Sequence, residues 1–388
     1  MENGKQSSII NGLLNRRSLL GAGPYTQVAN AVLAANSRAA EADLRAAKLR
    51  AEARSSNWLP TLGPSISLSS LGAVVTSLVV EQVLFDNGRK KAERDYAAAD
   101  VEVAAVTLAQ DTNDRVLSAL ELYLSAQSSL AQADVNAQPM QKMQHFEYVM
   151  SERVKGGVSS RVDLQIVQQK RNQMQADLAS DQERAAGAMS ELGAMSANTL
   201  DGASGLSTLD DTNSDVTPLS VLKAQAQSAR AIAEATAARA GFLPSLTASG
   251  TASSQGNRFG LNLGSQTGLG FGTGASLRAA EAQKQAAAAR VGQVNEDANR
   301  ALRALEGALK SLVRQEAQAR NLAAQAASNY DIYAAQQREG QRTVPEVVSI
   351  FETKVRTQRE AAGLIFEVAR VQLKIAALKG ALVNGDQI

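Results

Sequence analysis

The sequence predicts a mostly α-helical chain built from two tandem copies of one unit, a β-hairpin running into a very long coiled-coil helical hairpin, with the strands forming part of a membrane β-barrel. Three observations predict it. Landmarks recur at near-constant spacing along the 388 residues. Two helix-patterned stretches of about 70 residues exceed what a compact domain needs. Short alternating segments precede those stretches, where Ser, Thr, Gly and β-branched residues take over.

The repeat is visible by eye. Trp58-Leu59-Pro60-Thr61-Leu62 recurs as Phe242-Leu243-Pro244-Ser245-Leu246, and Leu84-Phe85-Asp86-Asn87-Gly88 recurs as Gly270-Phe271-Gly272-Thr273-Gly274. Gly157 with Asp163 six residues on recurs as Gly340 with Glu346 six residues on. The displacement is about 185 residues at all three landmarks, which makes coincidence a poor explanation. The expected division is a first unit over 1–200 (β-hairpin about 59–85, helical hairpin about 88–198), a linker over 201–217, and a second unit over 218–388 (β-hairpin about 243–271, helical hairpin about 274–383). The linker is rich in Asp, Ser, Thr and Gly, which is loop chemistry.

Strand character is clearest where Phe259, Leu261, Leu263, Leu269 and Phe271 fall on odd positions while Gly260, Asn262, Gly264, Gln266, Gly268 and Gly270 fall on even ones. That is a period-2 strand with one apolar face. Ile66 and Leu68 alternate with Ser65, Ser67 and Ser69 in the same way. Alternation alone equally permits a half-buried sheet on a soluble domain. Trp58, Phe85, Phe242 and Phe271 stand at strand ends, where amphipathic rings suit a membrane surface.

From Gly88 to Gly157 and from Gly274 to Gly340 the pattern is helical, with Pro139 as the one internal breaker. Each helix would reach about 100 Å at about 1.5 Å per residue. Val291, Ala298, Leu305 and Leu312 lie seven apart with Val294, Ala301 and Ala308 between them, a heptad seam whose small residues permit close approach. The tip turns are expected at Gly156-Gly157 and Gly340, because reversal favours left-handed backbone. The return helices run through Val162 to Leu192 and through Val344 to Leu382.

Composition excludes much. Aromatic residues are 4% of the chain, Pro numbers 7, and long stretches are written in Ala, Glu, Gln, Lys, Arg and Leu, the usage of extended helices. Net charge is +2, which gives no field for nucleic acid or an acidic substrate, and Arg89, Lys90 and Lys91 read as solvated helix surface. There is no Cys and one His, His145, so disulfides, thiolate chemistry, a lipidated N-terminal cysteine, a catalytic triad and a multi-histidine metal site are all ruled out. No catalytic residue, metal or cofactor is expected. No apolar run of about 18 residues exists, so any membrane crossing must use strands. The N-terminus lacks an apolar signal core, and Arg16-Arg17-Ser18-Leu19-Leu20 only faintly resembles a twin-arginine signal; the start reads as a mature form or a misplaced start.

Two hairpins give four strands, which cannot close a barrel, and an open edge in lipid leaves backbone groups unpaired at several kcal/mol each. The chain must therefore oligomerise. A trimer of four-strand contributions, about twelve strands, is the smallest odd solution that leaves a lumen.

At these residues the chain resembles the TolC-type outer-membrane efflux and type I secretion channels. The family opens each hairpin with an aromatic or apolar residue and Leu-Pro, and opens the long helix with Leu-Phe-Asp-x-Gly. Leu59-Pro60, Leu243-Pro244 and Leu84-Phe85-Asp86-Asn87-Gly88 are similar to these. Gly340-Gln341-Arg342-Thr343-Val344-Pro345-Glu346 resembles the tip pattern Gly-x-Arg-Thr-x-x-acid, and the likeness runs from about Val28 to Leu382.

The resemblance implies a homotrimer with a 12-stranded barrel in outer-membrane lipid of a Gram-negative bacterium. Below it a 12-helix tunnel crosses the periplasm and docks through an adaptor (membrane fusion) protein onto an inner-membrane pump of RND, ABC or MFS type. It also implies gating at the helical tips, with Arg342 and Asp163 as two sides of the contact, Arg161 beside them, Glu346 at an acidic ring, and Gly156, Gly157, Gly340 and Thr343 at the tip turns and adaptor surface. Three positions depart from the family: Gln337 stands where some members have a gating tyrosine, Val162 where a threonine accepts the arginine, and Ser349 where a second acidic ring lies. A weaker latch and weaker cation selection are the expected consequences. Asp163 and Glu346 also suit a second role, helix N-terminal acids that favour the macrodipole. A periplasmic adaptor or a coiled-coil scaffold without a pore is the alternative reading, and drug efflux and protein secretion stay equally open as cargo classes.

Overall fold

The computed structural model describes residues 7–35, 39–68, 74–198, 200, 202–210, 216–253, 256–268 and 270–387. The elements run α1 (Ser8–Leu14), α2 (Pro24–Ala34), α3 (Ala39–Ser55), β1 (Thr61–Leu68), β2 (Val74–Phe85), α4 (Arg89–Lys155), α5 (Arg161–Met195), α6 (Leu219–Gly241), β3 (Ser245–Ser253), β4 (Gly256–Gly264), α7 (Thr273–Arg338) and α8 (Val344–Leu378), with a 3₁₀ turn at Gly385–Gln387. The helices α4 and α7 are 67 and 66 residues long, about 100 Å each. Pro139 does not break α4, which is continuous through it. Its missing N–H removes a single helical bond, and Met140 and Met143 on its C-terminal side are buried, so tertiary packing holds the helix across the gap.

The strands form one antiparallel sheet in the order β1-β2-β3-β4. Each hairpin pairs locally, and β2 pairs with β3 to join them, with a bulge between Val83 and Phe85. Register sorts the side chains. Leu62 and Val80 pair, Val80 pairs with Gly250 and Gly250 with Phe259; Ala248 stands beside Leu261 and Leu246 beside Leu263. All lie on one face, together with Ile66, Val74 and Leu78. The other face carries Ser65, Ser77 and Ser253 in one row and Thr61, Glu81, Ser249 and Gly260 in another, with Val75, Val79 and Val83 of β2 between and beside them. The apolar face is bare: Ile66 is 71% exposed, Leu263 76% and Phe259 87%. Strands of 8, 12, 9 and 9 residues approach or exceed the membrane-strand length of about 9–11.

One strand is shorter than its pattern predicts. It ends at Gly264 rather than Phe271, and residues 265–268 are bends and loop. The Thr267 N–H donates to the Gly241 carbonyl at 3.0 Å, which pulls the chain onto the end of α6 and out of the ladder. Leu269 and Ser69 lie outside the described residues.

The helices pack around α4. It touches α5, α6, α8, α3 and α2, while α7 packs on α6 and α8. The main apolar core lies part-way along the shaft, where Tyr25, Val28 and Val32 of α2 meet Val116, Leu120, Tyr123 and Leu124 of α4 and Phe366 and Leu373 of α8. Burial pushes the Tyr25 and Tyr123 hydroxyls up to about 12, and the rings meet edge to face at 6.2 Å. Two arginines collect helix C-terminal carbonyls there. Arg115 donates to Val32, Ala35 and Met195. Arg16 is buried and donates to Lys379 at 2.6 Å, Gly380 at 3.3 Å and Thr217. Desolvation lowers its pKa to about 10, which leaves it charged at neutral pH and favourably placed at the negative end of α8. Arg16 is thus a built part of the fold, while Arg17 beside it is exposed.

Candidate functional site

The far ends of the two helical hairpins form a matched pair of tips. At the first, Gly156 caps α4 and Gly157 takes φ 72°, with Val158 N–H donating to Arg153 O at 2.8 Å. At the second, Glu339 caps α7 and Gly340 takes φ 77°, with Gln341 N–H donating to Gln336 O at 2.9 Å. Both are six-to-one closures that satisfy the last free carbonyls of a helix. Gly157 and Gly340 need glycine for backbone reasons, since a Cβ there meets nothing within 4 Å. Gly156 has φ −77° and needs no glycine.

Each return helix starts with a capping box. Ser160 N–H donates to Asp163 Oδ2 at 3.3 Å while Ser160 Oγ accepts from Val162 N–H at 3.1 Å. Thr343 N–H and its hydroxyl donate to Glu346 Oε2 at 2.8 and 2.9 Å. The reciprocal pattern satisfies donors that a helix start leaves open. The two Thr343 bonds, with Arg342 nearby, hold the Glu346 carboxyl below the usual carboxylate range.

Between the tips lies a polar cleft of about 510 Å³, lined in part by Arg153, Ser160, Asp163, Arg342 and Thr343. Asp163 and Arg342 therefore share one hollow, but Arg342 takes other partners within the chain. Its Nε donates to Gln336 Oε1 at 3.0 Å, its Nη1 lies 3.7 Å from Glu346, and its guanidinium sits 4.6 Å from the Tyr333 ring centre. Arg161 opens α5 and is exposed outside that lining. Sequence reasoning noted Gln337 in place of a tyrosine but missed Tyr333 one turn earlier. The signal was available: Tyr330, Tyr333 and Gln336 recur every third residue in a chain otherwise poor in aromatics.

Behind the tips is a second apolar cluster in which Met140, Met143, Met150, Val167 and Met174 meet Tyr330, Val344, Val347, Val348, Phe351 and Val355. Tyr330 is flanked by two ammonium groups, Lys142 at 4.7 Å and Lys354 at 4.8 Å, each placed to attract the ring quadrupole.

At the opposite end, the four strand-end aromatics mark where the sheet meets the helices. Trp58 precedes β1, Phe85 ends β2, Phe242 caps α6 ahead of β3, and Phe271 precedes α7. Trp58, Phe85 and Phe271 are exposed and Phe242 is half-buried. Among the described residues, no cluster of three or more His, Cys, Asp or Glu is placed to hold a metal ion, and no helix is long and apolar enough to cross a membrane.

No family model and no curated protein matches the sequence. Solved structures do match the fold. A membrane protein from Pseudomonas aeruginosa superposes with TM-score 0.80 at 18% identity, over 94% of this chain and 91% of that one. The CmeC outer membrane channel of Campylobacter jejuni gives 0.76 at 11% identity, over 92% and 86%. The outer membrane protein VceC of Vibrio cholerae gives 0.75 at 16% identity, over 97% and 96%. Nearly end-to-end coverage at such low identity means that the overall fold is shared while most of the side chains are not, and the fold of this chain is that of the TolC-type outer-membrane channels.

Proposed function

We propose that this chain is one protomer of a trimeric outer-membrane exit duct, serving a tripartite efflux pump or a type I secretion system and conducting cargo passively without making or breaking bonds. The observation that carries the reading is the sheet: an uncovered apolar face, an opposite face of mainly Ser, Thr, Gly and Glu with Val75, Val79 and Val83 among them, and two outer edges left unpaired among the described residues, set on a shaft of about 100 Å. In lipid those edges must pair, and β4 of one copy against β1 of the next closes twelve strands with the polar face inward. The strand-end aromatics then lie where the barrel leaves the outer membrane, and the shaft extends through the periplasm. In this reading the chain divides into repeats 1–200 and 218–388 about a linker at 201–217.

The tips form the gate. Arg342, held by Tyr333, Gln336 and Glu346, keeps the second tip in place beside Asp163 and Arg161. Gly157, Gly340 and Thr343, with neighbouring Gly156, shape the surface offered to a periplasmic adaptor, which couples the duct to an inner-membrane RND, ABC or MFS pump. Planar-bilayer recordings test this. Purified protein gives discrete cation-conducting channels of low resting conductance, and an absence of channels from correctly folded protein contradicts the reading.

A further inference from the structure

The helices α5 and α8 belong to different hairpins, start at the same height beside the two tips, and run parallel away from them. Lys170 Nζ lies 2.6 Å from Glu352, and seven residues further along each helix Arg359 Nη1 lies 3.2 Å from Asp177. Arg359 Nη2 also reaches Asp181 at 2.5 Å, and Arg184 pairs with the same carboxylate. The two helices are thus cross-linked in register by charges that alternate in sign, over a stretch about 15 to 30 Å behind the tip.

Asp181 is the telling member. The buried stripe of α5 runs Val167, Met174 and Asp181 at intervals of seven, so a carboxylate occupies a heptad position where an apolar side chain would pack. Its side chain is 0% exposed, and Arg359 is 18% exposed with Nε buried and lacking a hydrogen-bond partner among the described residues. A charge buried at a core position is costly to place, and its best-attested use is to fix register or state rather than to add stability. The geometry points to the Asp177/Asp181–Arg359 cluster, with Lys170–Glu352 below it, as a clasp between the two hairpins that sets the relative height of the tips and holds them closed. This inference rests on the gate reading above and adds positioning residues to it.

The test is single-channel conductance and heat stability of the reconstituted full-length protein. Arg359→Gln raises resting conductance severalfold while the oligomer keeps its dissociation temperature. Lys170→Glu, at a partly exposed pair, produces a smaller rise, and adding Glu352→Lys returns it to the parent level, so the clasp can be judged even where Arg359→Gln folds poorly. Arg342→Ala is recorded in parallel. If that variant opens the channel while the Arg359 and Lys170 variants stay at the parent level, the clasp is wrong and the gate stands. Parent-level conductance in all of them overturns both, and an oligomer destabilised without any conductance change reduces the cluster to a structural pillar and overturns the clasp.

Discussion

The two long helices are equal in length and opposite in surroundings. α4 buries 21 of its 67 residues and α7 only 6 of its 66. Their return helices are reversed, with 5 of 35 residues buried in α5 and 13 of 35 in α8. Within one chain α4 and α8 are the core, whereas α5 and α7 are flanks. The predicted heptad seam of α7 illustrates the deficit: Ala298 is buried, Val291, Val294, Leu305 and Leu312 are half-buried, and Ala301 and Ala308 are exposed. Helices with a heptad repeat and so little burial fit a shaft whose missing neighbours are further copies, as the bare sheet edges do.

Substitutions separate the two helices sharply. Leu120→Ala on α4, at a side chain with 0% exposure, costs about 2–5 kcal/mol and lowers the urea midpoint of the isolated chain. Leu322→Ala on α7, at 52% exposure, changes that midpoint little and instead lowers the temperature at which the oligomer dissociates. A large urea effect from Leu322→Ala would erase the distinction.

The tips, alike in backbone, differ in what holds them. Ser160→Ala removes a cap from α5 at about 0.5–2 kcal/mol, read as local loss of amide protection. Arg342→Ala removes the Tyr333, Gln336 and Glu346 contacts together and raises conductance, with Asp163→Ala adding little to it. An Asp163→Ala variant that by itself opens the channel as far as Arg342→Ala, with the double variant going no further, would restore a direct pairing across the cleft.

Acid acts on the second tip. The Glu346 carboxyl is held down in the folded tip, so its contribution is complete above the ordinary carboxylate pKa of about 4.3 and is lost as pH falls through the lower folded value. Conductance therefore rises in that acidic window, and Glu346→Gln removes the step together with part of the cation selectivity seen in reversal potentials. The smallest effects belong to the turns: Gly157→Ala and Gly340→Ala each cost about 1 kcal/mol through backbone strain, and Gly156→Ala is nearly neutral by thermal melt.

What was legible in the sequence follows from periodicity. Alternation at Phe259, Leu261 and Leu263 gave the strand, because period 2 leaves no other arrangement with one apolar face. It failed at Phe271, since the Gly- and Ser-rich stretch before it has no preference of its own and one hydrogen bond from Thr267 to Gly241 redirects it. Gly157 and Gly340 were legible because reversal at a helix end demands left-handed backbone. The partners of Arg342 were hidden, as they depend on how the Gly340 turn swings the side chain back over the last turns of α7. The charge at Asp181 was readable from the spacing of Val167 and Met174, but its pairing with Arg359 needed two hairpins at one height.

The claim on which everything rests is that the flanks and the sheet edges are completed by other copies of this chain. The mass of the detergent-solubilised particle, measured by native mass spectrometry on the full-length protein, tests it most directly. Three chains per particle, collapsing to one on heating, is the predicted result; a folded particle of one chain would contradict the account.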